Sequence, residues 1–116
     1  LGTTEADDFA RIESVVHKLL SQGQIIVAAC KNDGKYTMPA FCKGVFGVKA
    51  DAKLTNNQIH TNPDADGVAL IASSQHKLLL PDGSVIITQI SNSYAAPSVT
   101  AEVCNLISAH KRLQFV

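Results

Sequence analysis

Two polar residues, Ser93 and Asn32, occupy positions at which a side chain could take part in catalysis. Ser93 opens a helical pattern that continues through Pro97, whose missing N–H is harmless in a first turn. A hydroxyl there is ordinarily a helix cap, yet the free N–H groups and the helix dipole also stabilise a developing negative charge. Asn32 follows an apolar run, and in Asn32-Asp33-Gly34 it is ordinarily a turn residue. The residues alone therefore permit a nucleophile at Ser93 without requiring one.

The first part of the chain predicts one helix followed by strands. Thr3 or Thr4 can cap a helix that Gly23 ends. Its apolar positions recur at helical spacing: Phe9, Ile12, Val15, Val16, Leu19 and Leu20. The unbroken apolar run 24–29 is typical of a strand covered on both faces, as in a parallel sheet. Residues 44–50 predict the next strand, and the polar residues 51–67 predict a loop.

The second part predicts further strands and a closing helix. Strands are expected over 68–72, 77–80 and 84–88. The last helix begins near Ser93, fades after His110 and has one apolar face, made of Ala96, Val99, Val103, Leu106 and Ile107. Helix, strands and helix in this order predict an α/β fold and a single structural unit over residues 1–116.

Composition narrows the classes of function. Ten basic residues balance ten acidic ones, so no charged surface for nucleic acid or an anionic membrane is indicated. No apolar run reaches the ~20 residues of a membrane-spanning helix, and no signal segment opens the chain. The three cysteines, Cys30, Cys42 and Cys104, lack paired or metal-type spacing. Reduced thiols in a cytoplasmic protein are expected, and one disulfide with a spare thiol is the alternative.

A further motif, Asn62-x-Asp64-x-Asp66-Gly67, imitates the start of a calcium-binding loop. Its twelfth position is Ser73 instead of glutamate, and the flanking residues do not predict helices, so a solvated turn is expected. Zinc spacings and glycine-rich phosphate motifs are absent from the sequence. The sequence therefore predicts neither a metal nor a cofactor.

The segments around Ser93 and Asn32 resemble two parts of one active site. Ser93-Tyr94-Ala95-Ala96-Pro97 resembles the nucleophile segment of subtilisin-like serine peptidases, in which Ser-(Met/Tyr)-Ala-(Ala/Thr)-Pro opens a helix. Residues 25–34 resemble the family's buried strand, which ends in Ala-Ala-Gly-Asn. Pro39-Ala40 with residues 45–48 is similar to a later strand, and Leu1-Gly2 to a strand end that lines the substrate groove. These elements follow the family's order over nearly the whole chain.

This resemblance implies a fold and a set of roles. It implies a subtilisin-like three-layer α/β/α fold with a mostly parallel sheet, of which residues 1–116 would be the C-terminal portion. Ser93 would be the nucleophile and Asn32 the oxyanion donor, with the Ser93 N–H as the second donor. The primary specificity pocket would be lined by five residues: Leu1, Gly2, Ala29, Cys30 and Lys31.

The sequence also departs from the family's pattern. Ser91-Asn92 replaces the Gly-Thr that precedes the serine, and Lys31 replaces the glycine before the oxyanion asparagine. That lysine could narrow the pocket, select an acidic side chain or point to solvent. The family's chain order is Asp, His, Ser, and no histidine here has the context of the family's base: His17, His60, His76 and His110. Because a serine without a base is a poor nucleophile, the chain alone is expected to be inert.

Three functions remain open at this point. The first is a serine endopeptidase portion that cleaves peptide or protein substrates when an N-terminal half, or a subunit replacing it, supplies the His and Asp. The second is an inactive pseudopeptidase that binds peptides or acts as a scaffold, and the third is an unrelated α/β interaction domain. The chain starts at Leu1 without Met, inside what resembles a strand end, so a preceding portion is expected.

Overall fold

The computed structural model describes residues 2–64 and 66–114, which form helices on a mixed β-sheet. The helices are α1 (Ala6–Ser21) and α2 (Asn92–Gln114). The strands are β1 (Val27–Ala29), β2 (Phe46–Ala50), β3 (Ile59–Thr61), β4 (Leu70–Ala72), β5 (Lys77–Leu79) and β6 (Val85–Ile87). This confirms the α/β class that the sequence predicts.

Four of the strands form one sheet in the order β1-β2-β4-β3. β1 pairs with β2 and β2 pairs with β4 in parallel, whereas β3 pairs with β4 antiparallel. β5 and β6 form a separate antiparallel hairpin across the turn that contains Gly83. Since parallel strands end at the same edge of a sheet, the residues that follow β1 and those that follow β2 lie side by side. The Cys30 N–H continues this ladder to the Val48 carbonyl at 2.9 Å.

Two apolar clusters lie on opposite faces of β1, and each contains side chains of one helix. Successive side chains of a strand point to opposite faces, and β1 shows this alternation. Val27 packs in a cluster with Val48, Ala95 and Val99, which belongs to α2. Its neighbour Ala28 packs against the second cluster, made of α1 side chains and residues 38–45. The sheet therefore separates two apolar cores.

The structure corrects several boundaries of the predicted elements. Neither Thr3 nor Thr4 caps α1: Glu5 is the N-cap, without a side-chain bond, and the Thr3 hydroxyl accepts the Glu5 N–H at 3.1 Å. The strand predicted over 24–29 is limited to Val27–Ala29. The predicted loop 51–67 contains β3, whose ladder to β4 supplies the order that its polar sequence does not indicate.

The closing helix is longer than its sequence pattern predicts, and its apolar face is shorter. α2 begins at Asn92 and continues past His110 to Gln114. Ala96, Val99 and Val103 pack on the sheet as expected. Leu106 and Ile107 do not, because this part of α2 lies beyond the core, and Leu106 is 62% exposed.

The remaining expectations from composition concern thiols and membranes. Cys30 and Cys42 are buried and Cys104 is exposed, and all three are free thiols in the structure. Within the described ranges, neither helix combines the length and hydropathy that crossing a bilayer requires.

The loop that imitates a calcium site surrounds an ammonium group. Lys49 Nζ of β2 lies 2.9 Å from Asp64 Oδ2 and 2.7 Å from Asp66 Oδ2. Asn62 Nδ2 donates to the other Asp66 oxygen at 2.8 Å. Lys49 thus lies at the place where a cation would neutralise these carboxylates. In residues 2–64 and 66–114, no group of three or more His, Cys, Asp and Glu side chains could hold a metal.

The Lys49–Asp66 contact should make the free energy of unfolding depend on pH in the acidic range. The hydrogen bond from Lys49, followed by the Val68 N–H, lowers the pKa of Asp66. A carboxyl group whose folded-state pKa is depressed contributes stability above its unfolded pKa, near about 4, and loses it as the pH falls through the folded-state pKa. Below about pH 4, the parent should therefore lose unfolding free energy more steeply than Asp66→Asn, as measured by urea denaturation at a series of pH values.

Lys49→Met is the matched variant for this measurement, because it removes the same contact from the other side. It should flatten the acid dependence in the same direction as Asp66→Asn. Parallel pH profiles for the parent and both variants would contradict the assignment.

Candidate functional site

The side chain of Asn92 joins the ends of three elements. Its Oδ1 accepts the Ala50 N–H at the end of β2, at 2.8 Å. Its Nδ2 donates to the carbonyls of Cys30 and Lys31, just after β1, at 3.1 and 3.2 Å. Because Asn92 is also the first residue of α2, these bonds attach the start of that helix to the carboxyl edge of the sheet.

Asn32 is held against the same helix start, in a defined orientation. Its Oδ1 accepts the Asn92 N–H at 2.9 Å. A backbone N–H can only donate, so the side-chain oxygen must face it and the amide nitrogen must point the other way. That nitrogen, Nδ2, points toward Ser91 Oγ at 3.4 Å. Asn32 therefore presents an N–H donor at the start of α2.

A second N–H donor points to the same place. The Ser93 N–H donates to Ser91 Oγ at 3.3 Å. Two donors from different parts of the chain, Asn32 Nδ2 and Ser93 N, thus converge on one oxygen atom. Convergent N–H groups at the positive end of a helix are suited to hold an oxygen atom that carries negative charge.

A cavity of about 550 Å³ brings most of the predicted site residues together. Asn32 and Ser93 both line it, although 60 residues separate them in the chain. So do four of the five residues expected in the specificity pocket: Gly2, Ala29, Cys30 and Lys31. The fifth, Leu1, lies outside the described residues. One concave surface therefore contains both the convergent donors and an exposed serine hydroxyl.

The loop after Asn32 is fixed by charge and by aromatic contacts. Lys31 is one of the residues that line the cavity, and its Nζ pairs with Asp33 Oδ2 at 3.2 Å. Several contacts lower the pKa of the Asp33 carboxyl group, and the hydrogen bond from the Lys35 N–H contributes most. Tyr36 packs between Phe9 and Phe41, with ring centroids 5.3 and 4.8 Å away. These contacts hold the wall of the cavity in place.

Cys30 is the third cavity residue with reactive chemistry, but its environment makes it inert. Its side chain is buried, and burial raises the pKa of its thiol. A raised pKa leaves less thiolate, which is the nucleophilic form. Ser93 is exposed, so the hydroxyl and not the thiol is available to a reactant.

No histidine of the described residues lines the cavity of Ser93. His76 contacts the first turn of α2, because its Nε2 lies 2.7 Å from the Tyr94 carbonyl oxygen. A carbonyl can only accept, so Nε2 carries the proton and cannot take one from Ser93 in this geometry. His17 is exposed on α1 beside Glu13, and His60 belongs to β3 instead of a loop. His110 lies near the end of α2.

Sequence reasoning missed the role of Asn92. It treated Ser91-Asn92 only as a departure from a motif. A signal existed, because an asparagine directly before a helix start can bond neighbouring backbone groups. Which backbone groups it would reach depends on contacts with residues more than 40 positions away, and no local pattern encodes those.

The assembled site has two convergent N–H donors, an exposed serine and a cavity. Compared with family models, curated proteins and solved structures, the chain matches none of them. The function proposed below therefore rests on the residues and their geometry.

Replacing Asn92 should destabilise the protein more than replacing another asparagine of the same helix. Asn92→Ala leaves the Ala50 N–H and two carbonyls without their partner, at an expected cost of about 2–3 kcal/mol in unfolding free energy. The exposed Asn105 is the matched control, and Asn105→Ala should change stability by less than about 0.5 kcal/mol. Urea denaturation measures both, and equal effects would show that the Asn92 contacts do not stabilise this junction.

Proposed function

We propose that this chain is the nucleophile-bearing portion of a subtilisin-like serine endopeptidase. The observation that carries the proposal is the convergence of Asn32 Nδ2 and the Ser93 N–H on one oxygen position, beside the exposed Ser93 hydroxyl. Peptide hydrolysis requires such a pair, because a carbonyl oxygen gains negative charge when a nucleophile attacks its carbon. Helices with apolar clusters on opposite faces of β1, in a sheet with parallel β1, β2 and β4, are compatible with the three-layer fold of that family.

The proposed reaction begins with attack by Ser93 Oγ on a peptide carbonyl carbon. The Oγ–C bond forms while the electron pair of the C=O bond moves to oxygen, which the Asn32 and Ser93 N–H groups bind. The proton of the hydroxyl passes to a histidine, which then returns it to the leaving amine as the C–N bond breaks. Water, which gives a proton to the same histidine, later attacks the acyl carbon. The bond to Ser93 Oγ then breaks as the histidine returns the proton to that oxygen.

The cavity would bind the side chain that precedes the cleaved bond. Gly2 and Ala29 give it a small apolar wall, and Lys31 adds a cation that Asp33 balances. The substrate in this proposal is a peptide or protein, and neither nucleic acid nor membrane is part of it.

The histidine and aspartate would come from a polypeptide that precedes these residues or from a subunit that replaces it. Apolar surface is available for such a partner, since Leu79, Ile87 and Leu106 are each at least 60% exposed. β1 also has one open edge among the described strands, because it pairs only with β2. Open edges and exposed apolar patches favour association.

A peptide-binding pseudopeptidase is the second candidate. The observation that favours it is that no histidine of the described residues lines the cavity, although the cavity itself and its convergent donors are present. Such a protein would keep the cavity and the donors while lacking a proton acceptor. The experiment that follows separates the two candidates.

A fluorophosphonate probe should react with Ser93 only when a base is present. The chain alone should not label, because no histidine of the described residues lines the cavity of Ser93 and a serine without a base is a poor nucleophile. Joined to the N-terminal half of the peptidase domain, it should label, and Ser93→Ala should abolish that labelling. Ser84→Ala, in the hairpin turn, is the matched control and should label as the parent does. Labelling that survives Ser93→Ala would reject Ser93 as the nucleophile.

A peptide-cleavage assay on the joined protein tests Asn32. Asn32→Ala should slow peptide cleavage by about 10²–10³-fold, the effect measured in subtilisin for the loss of this type of donor. If the completed protein keeps its fold and binds peptides but never labels, the pseudopeptidase is the correct assignment.

The apolar surface should make the isolated chain associate. At concentrations on the order of tens of micromolar, sedimentation should show self-association that a one-to-one complex with the N-terminal half suppresses. Leu79→Glu should weaken self-association by placing charge on the hairpin, whereas Lys77→Glu in the same strand is the control. A cooperative, well-folded monomer without the partner would instead favour an unrelated small α/β domain.

A further inference from the structure

We infer that the Ser91 hydroxyl is a built-in occupant of the oxyanion position, which a substrate must displace before it can react. This inference rests on the proposed function. Ser91 Oγ accepts both convergent donors, the Asn32 Nδ2 at 3.4 Å and the Ser93 N–H at 3.3 Å. A substrate carbonyl oxygen would need the same two donors, so the hydroxyl and the substrate compete for one position.

The contact from Asn32 distinguishes Ser91 from an ordinary helix cap. A capping serine accepts N–H groups of its own first turn, which describes the bond from Ser93. The bond from Asn32 comes from a side chain 59 residues earlier, in the segment that follows β1. Capping does not require this second bond, whereas occupation of the oxyanion position does.

The geometry also makes the hydroxyl displaceable. Both bonds are longer than the usual 2.9–3.0 Å of an N–H···O bond, so each is weak. Ser91 is only half-buried, and rotation about its Cα–Cβ bond can move the oxygen away. Asn32 would stay in place during this rotation, because the Asn92 N–H holds its Oδ1 at 2.9 Å. The donors therefore remain preorganised when the hydroxyl leaves.

The physical consequence is that the Ser91 side chain lowers the reactivity of Ser93. In the unliganded protein, Ser91 satisfies donors that would otherwise bind water or substrate. Every ligand that places an oxygen atom at the two donors must break their contacts with Ser91, whatever side chains the ligand carries. Removal of the hydroxyl should therefore raise reactivity for all substrates alike and leave the preference among them unchanged.

The test uses the chain joined to the N-terminal half that supplies the base. Ser91→Ala and Ser91→Gly should each accelerate fluorophosphonate labelling by about tenfold, which corresponds to about 1.4 kcal/mol and lies within the net contribution of a neutral hydrogen bond. Two variants are needed, since alanine removes a cap whereas glycine is a tolerated cap that adds backbone freedom. Ser91→Thr keeps a hydroxyl and is the matched control, expected to label at the parent rate.

Affinity for a peptide boronic acid gives a readout that does not depend on turnover. Boron accepts Ser93 Oγ, the hydroxyl proton goes to solvent, and the resulting tetrahedral anion places an oxygen at the donors. Ser91→Ala and Ser91→Gly should bind it about tenfold more tightly than the parent and Ser91→Thr do.

The outcomes separate the inference from the proposed function. If Ser93→Ala abolishes labelling but folded Ser91→Ala and Ser91→Gly label and bind boronate as the parent does, the inference is wrong and the proposed function stands. Slower labelling in both variants would show that Ser91 supports the site instead of occupying it, which also overturns the inference. If labelling survives Ser93→Ala, the proposed function is wrong and the inference falls with it.

Discussion

The hydrogen bonds of the Asn92 side chain are the constraint on which the rest of the site depends. They join the carboxyl ends of β1 and β2 to the first residue of α2, using both the donor and the acceptor capacity of one amide. Parallel pairing makes this possible, because it brings the ends of β1 and β2 to one edge. Without that edge, the polar groups that follow the two strands would have no common partner.

The same junction explains why the donors are preorganised. The Asn92 N–H determines which way the Asn32 amide faces, and the helix start determines where the Ser93 N–H points. An electrostatic site of this kind is effective when its dipoles are already aligned before charge develops, since no reorganisation is then required. In this protein the alignment comes from backbone groups and amide side chains, whose charge state does not change with pH.

The hairpin formed by β5 and β6 is less buried than the junction at Asn92. The α2 face at Ala95 and Val99 is buried against the sheet, whereas the hairpin strands β5 and β6 are exposed along their whole length. A two-stranded hairpin is marginally stable by itself, and this one exposes most of its side chains to solvent. The contrast between a closed junction and an open hairpin is what makes association with a partner a reasonable proposal.

The sequence by itself determined the α/β class and the order of the main elements, because local apolar periodicity encodes these features. It associated Ser93 with Asn32 only through the resemblance of their segments to a peptidase active site. It did not reveal β3, whose polar residues become a strand only through their ladder to β4. It also misjudged Leu106 and Ile107, since periodicity shows that a helix has an apolar face but not how far the sheet extends beneath it. Tertiary structure alone decided that Asn92 binds three elements and that Ser91 meets both donors. The contacts of Asn92 with Ala50 and Cys30, and of Ser91 with Asn32, link residues 42 to 62 positions apart. Only the packed chain brings such residues within hydrogen-bonding distance.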